Sequence, residues 1–417
     1  MSIVTASLAN GLVVGVEPMP GVMSASITWL IPLGAARDPG GRSGMSAVLA
    51  EMLMRGAGGL DSRAQADAAD RVGLTRRVSP GGRHMVIGGT VLSASISDGL
   101  SLLADIVVRP NLSEDSLEPA RDLCLMEIES LRDDPQERAV LAARQRHAPP
   151  PFDTRVEGTV EGIGSIGHPD LLAHWNRSCV PGGSYIGIAG NVEPDAVIRR
   201  LEDLTSSWSG RARELAPGKD PPRGYQHEKD ESNQVQVVLI HDAPSERSPD
   251  RAPERFAVSV LSGGMSGRLF VEVREKRGLC YSVSAAYATD RDFGRVLAYV
   301  GTTPERAQES LDVLVSELHR LGTRDGAVTE QEFTRTRTRA VASLVFAGES
   351  TAARAGAIAS DLARLGEART LEQHRHEVES VTLAALNDYV ARRRFGRVTI
   401  QTLGPSPLTP PNLDERN

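Results

Sequence analysis

The chain resembles itself. Residues 44–56 (GMSAVLAEMLMRG) return as 264–278 (GMSGRLFVEVREKRG). Residues 112–117 (LSEDSL) are answered by 328–333 (VTEQEF), 165–172 (SIGHPDLL) by 380–387 (SVTLAALN), and 185–190 (YIGIAG) by 398–404 (VTIQTLG). Each match is weak alone. Four in the same order, at a nearly constant separation, mark a duplicated unit, so whatever one half folds into the other must fold into as well. The organisation expected is an N-terminal half over 1–205, a linker over 206–233, a C-terminal half over 234–408 and a tail over 409–417. The linker is polar, carries Pro221-Pro222 and has no apolar periodicity, and the tail opens on a Pro-rich stretch.

Within each half the elements alternate. Residues 13–16 and 25–31 read as strands with a turn at Pro20-Gly21. Met45, Val48, Leu49, Met52 and Leu53 recur at helical spacing. Asp61 and Ser62 predict a cap for a helix reaching Val72, residues 83–88 and 90–94 return to strand, and 97–108 to helix. Ser113 predicts a helix start, with Ser116 where a capping box would have Glu or Gln. Residues 234–241 (QVQVVLIH) are the clearest strand of the second half. This mixture of hairpins and helices predicts an α+β fold: two homologous halves, each an antiparallel-rich sheet packed with helices, rather than a parallel βαβ array.

Composition narrows the function classes. The chain has 417 residues, which at about 150 per domain means two or three domains. With 40% hydrophobic and 24% charged residues it can bury a substantial core. A net charge of −7 argues against a general nucleic-acid binder. Lys219, Lys229 and Lys276 are its only lysines, and so strong an arginine bias reads as genome composition rather than a binding surface. Cys124, Cys179 and Cys280 are odd in number and in no CxxC spacing, so buried thiols are expected rather than a disulfide framework. No long apolar run predicts a membrane span, and the start lacks the features of a secretory signal, so a cytoplasmic location is expected.

The residues that carry chemistry are sparse. None of the nine histidines falls in an HExxH or HxxEH spacing. His374 and His376, with Glu377, form the nearest cluster, but positions two apart on a helix face different ways, and a solvated surface is expected there. No GxSxG elbow, phosphate-binding loop or dinucleotide fingerprint occurs. Gly263 and Gly264 precede a helix. Their amides could bind an anion or a peptide carbonyl, or simply make a tight strand-to-helix turn. By residue type alone Arg274 is a surface helix residue and Tyr281 a half-buried strand residue.

Several segments together go further: 10–14 (NGLVV), 20–22 (PGV), 34–39 (GAARDP), 43–56 (SGMSAVLAEMLMRG), 127–135 (EIESLRDDP), 190–192 (GNV) and 263–283 (GGMSGRLFVEVREKRGLCYSV). They resemble the pitrilysin/insulinase-type metallopeptidases, which include mitochondrial processing peptidase, over nearly the whole chain and including the duplication. The family's inverted zinc motif, HxxEH, supplies two imidazole ligands and a glutamate that activates the zinc-bound water. Here those positions are Ala47, Ala50 and Glu51, so both imidazoles and the general base are gone. Glu127 matches the third ligand, and one carboxylate cannot hold zinc usefully.

The resemblance also implies what remains. Arg274 and Tyr281 are seven positions apart and match the pair that the family's C-terminal half offers to the substrate at the scissile bond. The implied role is the non-zinc subunit of a two-subunit, processing-peptidase-like enzyme. It would be inactive alone, carry no cofactor, and pair as a heterodimer with a homologous HxxEH-bearing subunit that holds the zinc. An extended peptide would be the substrate, enclosed and cleaved, as in removal of a leader. Two other readings stay open: a catalytically inert scaffold subunit, and a homodimer that binds peptides without cutting them. A hydrolase built on Glu51 with Glu127 is the least favoured.

Overall fold

The computed structural model describes residues 2–411. The first half of the chain runs β1 (Val4–Ser7), β2 (Val13–Pro18), β3 (Ser24–Ile31), α1 (Met45–Leu53), β4 (Gly56–Ala57), β5 (Leu60–Asp61) and α2 (Ser62–Arg71). It continues β6 (Thr75–Ser79), β7 (Met85–Leu92), α3 (Ile96–Val108), α4 (Leu117–Leu131) and α5 (Pro135–His147). After these come α6 (Val160–Gly164), α7 (His168–Ser178), β8 (Tyr185–Gly190) and α8 (Pro194–Thr205). The second half runs β9 (Tyr225–Lys229), β10 (Val235–Ala243), α9 (Arg251–Ser262), a π-helical segment (Phe270–Glu275), β11 (Cys280–Thr289) and β12 (Gly294–Thr302). It ends α10 (Ala307–Arg320), α11 (Glu330–Gly348), α12 (Thr351–Leu365), α13 (Leu371–Ser380), α14 (Leu383–Arg392) and β13 (Thr399–Gly404).

The α+β class is as expected, and the duplication is written in the sheets. One sheet has the order β1-β2-β8-β3-β7-β6 and the other β11-β12-β10-β13-β9. Set β9 against β2, β13 against β8, β10 against β3, β12 against β7 and β11 against β6, and the two orders coincide. The pairing senses coincide as well: β2 with β8 and β9 with β13 are parallel, and the other neighbours are antiparallel.

The compact units are cut differently from the linear halves. The first comprises the chain up to Ser130, Thr154–Pro217 and Val345–Leu371; the second comprises Leu131–Asp153, Gly218–Leu344 and Glu372 onward. In the first unit α12, from the second half of the sequence, lies across β8, β3 and β2. Gly187 permits this approach: a Cβ there would fall on the carbonyl oxygen of Ala355 and the amide nitrogen of Ala359. In the second unit α5, from the first half, lies on β10 and β13, seating Ala139, Val140 and Ala143 against Val238, Ile240, Tyr299 and Leu403. The equivalent helix of each half thus covers the other half's sheet.

Local chemistry explains most boundaries. Asp61 caps α2 as expected, accepting from the Ala64 amide at 2.8 Å. At Ser113 the expected helix start becomes a 3-10 turn over Glu114–Ser116, because Ser113 bonds the Ser116 hydroxyl at 2.8 Å instead of capping a backbone amide. Two stretches of the segment read as a linker are structured. Trp208 is buried against Trp29, ring centroids 5.6 Å apart, and donates to the Cys179 carbonyl at 3.0 Å. Residues Tyr225–Lys229 pair with β13. Of the tail over 409–417, residues 412–417 lie outside the described residues, whereas the Thr409 amide donates to Gln308 Oε1 at 2.8 Å. Among the described residues no helix is long and apolar enough to cross a membrane.

Candidate functional site

In the first unit the degenerate zinc positions sit on α1. Asp38 anchors that helix, accepting from the Gly44 amide at 2.9 Å, the Ser46 amide at 3.0 Å and the Ser46 hydroxyl at 2.5 Å. Burial pushes its carboxyl up to about 6 in spite of these hydrogen bonds. Nearly every residue of α1 is buried, so it is a core helix. Ala47 and Ala50 are 5% and 4% exposed and offer only methyl groups where the family has an imidazole and a carboxylate.

Glu51 is half-buried and Glu127, on α4, is exposed. Both act on the buried Cys124 of α4. Burial drives that thiol up to about 12, the two carboxylates add to the rise, and Arg55 opposes it. Among the described residues no group of three or more His, Cys, Asp or Glu side chains is placed to hold a metal ion, and His374 with His376 is no exception. With two alanines and two carboxylates at these positions and no imidazole among them, the first unit's site does not fit zinc.

The second unit holds Arg274 and Tyr281. Arg274 lies in the π-helical segment, an arrangement that recurs at functional sites. It is exposed, with its guanidinium carbon 5.0 Å from the Phe270 ring centroid. Glu272 is taken up by Lys276 at 2.7 Å and Arg277 at 2.8 Å. Burial raises the Cys280 thiol, and the charge of Arg274 opposes that rise.

Tyr281 follows Cys280 at a register irregularity in the β11–β12 pairing, where Cys280 faces Thr302 and Ser282 faces Gly301. The bulge turns Tyr281 outward next to Ser282, and the tyrosine is 66% exposed rather than half-buried. Along the rest of β11 the small residues Ser282, Ser284, Ala286 and Ala288 face out. Among the strands of this sheet β11 is an edge, and of its backbone amides that of Ala285 donates to the Ser262 hydroxyl at 2.8 Å.

The segment entering this motif is held from below by residues that sequence reading passed over. The Arg268 guanidinium grips Glu332 at 2.7 and 2.8 Å and donates to the carbonyls of Gly326 at 2.6 Å and Ala327 at 3.1 Å. Glu332 closes a capping box with Thr329, accepting from the Thr329 amide at 2.9 Å while Thr329 Oγ1 accepts from the Glu332 amide at 3.3 Å. The signal was present in Thr329-x-x-Glu332, inside one of the repeated segments. Gly263 and Gly264 lie under Arg339 of α11. A Cβ at either would stand 2.6 or 2.7 Å from a guanidinium nitrogen, and Gly264 has φ +100°. Arg335 donates to the Ser266 carbonyl at 2.9 Å. The two glycines thus pack beneath a cation and join the end of α9 to helical backbone that resumes at Arg268, rather than leading from a strand into a helix.

Burial alone would raise the Glu332 carboxyl, but the Arg268 fork and the Thr329 amide hold it down at about 2, against an ordinary 4.5. A depressed carboxyl stabilises the fold above its unfolded value and loses that contribution as pH falls from about 4.5 toward 2. Glu332→Gln is therefore expected to cost about 2–3 kcal/mol at pH 7 and much less near pH 2.5. Urea unfolding at the two pH values checks this, and an equal cost at both would refute it.

Comparisons with known proteins agree with this geometry. Residues 165–340 match the family model described as the peptidase M16 inactive domain. A Mycobacterium tuberculosis protein named as an uncharacterised zinc protease is 27% identical across 98% of this chain and 95% of its own length. A similarly named protein of Bacillus subtilis is 26% identical over 93% of this chain and 94% of its own. Residues 165–340 are thus similar to the M16 peptidases, and nearly the whole chain is similar to proteins named as zinc proteases. The crystal structure of a peptidase M16 inactive domain from Pseudomonas fluorescens matches the fold with a TM-score of 0.90 and 20% identity, covering 99% of this chain and 100% of that one. A protease from Helicobacter pylori matches with a TM-score of 0.84 and 19% identity, over 97% and 99%. At the three positions that resemble the zinc motif this chain has Ala47, Ala50 and Glu51.

Proposed function

We propose that this chain is the non-zinc subunit of a two-subunit metallopeptidase and lends Arg274 and Tyr281 to a zinc site in a homologous partner. The observation that carries this reading is an asymmetry. Two of the three zinc-motif positions are methyl groups and the third is Glu51, while the arginine and tyrosine stand exposed on a π-helical segment and a bulge, beside a strand edge.

The chemistry follows from the residues. Water attack on an amide places negative charge on the carbonyl oxygen, and a phenol O–H and a guanidinium are donors suited to meet it. Zinc, held by the partner's HxxEH subunit, would supply the activated water. The β11 edge, flanked by serines and alanines, suits an extended peptide read by its backbone more than by its side chains. The substrate class is thus an extended peptide, and leader removal in the cytoplasm is the task proposed.

Affinity purification of the tagged chain from its own host, with mass spectrometry of co-purifying proteins, tests the pairing. A stoichiometric companion of similar size carrying HxxEH is expected, with zinc in the complex and none in the isolated chain. Recovery of the chain alone, as a dimer that binds peptides, would replace this reading with a peptide-binding homodimer.

A further inference from the structure

Outside the motif, the second unit contains a cavity of about 300 Å³ between α9, α11 and α13. Its apolar wall is made by Phe256, Ala340, Leu344 and Val378, and Phe256 is buried against Phe333 at a ring separation of 5.7 Å. Arg255, Arg339, His374 and Glu377 are the charged or titratable groups of its lining. Of the nearby carboxylates, Glu377 is bound to Arg251 at 2.9 Å. Glu246 accepts from the Thr289 hydroxyl at 2.6 Å and pairs with Arg255 at 3.5 Å and Arg251 at 3.7 Å. Arg251, Arg255 and Arg339 stand against Glu246 and Glu377, so this wall carries one positive charge in excess beside an apolar body.

We propose that this cavity is a binding site for a small organic carboxylate with an apolar body, its carboxylate between Arg255 and Arg339 and its body on Phe256, Leu344 and Val378. Guanidinium forks match carboxylate geometry, and a concave apolar lining with a few convergent polar groups is the usual form of a small-molecule site. The same chemistry describes a free aryl or alkyl acid and the C-terminal carboxylate of a peptide ending in an apolar residue. Arg339 also lies over Gly263 and Gly264. A bound acid would engage the same guanidinium that packs the loop leading toward Arg274.

Calorimetric titration of the full chain with 3-phenylpropanoate tests the site, with 3-phenylpropan-1-ol as the uncharged control. A dissociation constant at or below about 1 mM is expected for the acid, with at least a ten-fold loss for the alcohol. Arg255→Gln and Arg339→Gln, both at exposed side chains, should each weaken the acid about ten-fold without changing the melting temperature. A Phe-terminated peptide bound more tightly than the free acid, with its C-terminal amide bound weakly, identifies a peptide end as the ligand. The reverse order identifies a small acid. No binding of either acid, equal binding of acid and alcohol, or unchanged binding in both variants would overturn the proposal. None of these outcomes depends on a partner subunit, so the site stands or falls separately from the peptidase pairing.

Discussion

Arg274→Ala and Tyr281→Phe are each expected to lower the turnover of the reconstituted two-subunit enzyme about ten-fold or more, at about 1.4 kcal/mol per decade. Donors aimed at a developing oxyanion are worth roughly 2.7–4 kcal/mol each in water-excluded sites, so ten-fold is the lower bound. Both side chains are exposed in this chain, so neither change should disturb its folding. That separates loss of a transition-state contact from loss of structure. Removing only the phenol oxygen tests the donor itself, because the ring remains. Steady-state kinetics should show the loss in kcat/KM with the melting temperature of the chain unchanged. If both variants stay within about two-fold of wild type, Arg274 and Tyr281 have no part in the chemistry and the inert-scaffold reading takes over.

Arg354→Ala is expected to cost about 3–5 kcal/mol of stability. Arg354 lies on α12 and donates to Glu17 of β2 at 2.7 Å, with side chains only 4% and 7% exposed. It also donates to the Arg369 carbonyl at 3.3 Å. Removing it leaves the Glu17 carboxylate buried without its counter-charge, which costs more than the pair itself contributes. Gly187→Ala attacks the same docking from the sheet side, since its Cβ would meet the backbone of Ala355 and Ala359, which cannot rotate away. Denaturant unfolding of both variants should show comparable losses. A cost below about 1 kcal/mol for either would mean that α12 is not seated on β2 and β8 as described.

Much of the site was legible before any coordinates. The loss of the zinc ligands is a matter of residue identity at Ala47, Ala50 and Glu51, and the Arg274–Tyr281 spacing is read by counting. The outward turn of Tyr281 was not legible. Alternation along a strand predicts one face for Tyr281 and the other for Ser282, and only the shifted pairing of β11 with β12 lets both face out. Arg268 was equally silent, since among so many arginines nothing local distinguishes one that grips Glu332 from one in solvent. Gly263 and Gly264 suggested an open anion or carbonyl site or a tight turn. Their packing beneath Arg339 depends on a residue far along the chain.

The sequence by itself determined the duplication, the α+β class and the absence of an HxxEH spacing, because repeats, periodicity and residue identity are all local or countable properties. Tertiary structure alone decided that α5 and α12 exchange sheets. The two helices hold equivalent places in the repeat, and nothing in either one's pattern says which sheet it will cover. The choice is made by close contacts between distant residues: Arg354 with Glu17, Gly187 beneath Ala355 and Ala359, and His147 with Thr399 at 3.1 Å. Such pairings leave no periodic trace, since their partners stand hundreds of positions apart and meet only once the sheets have formed.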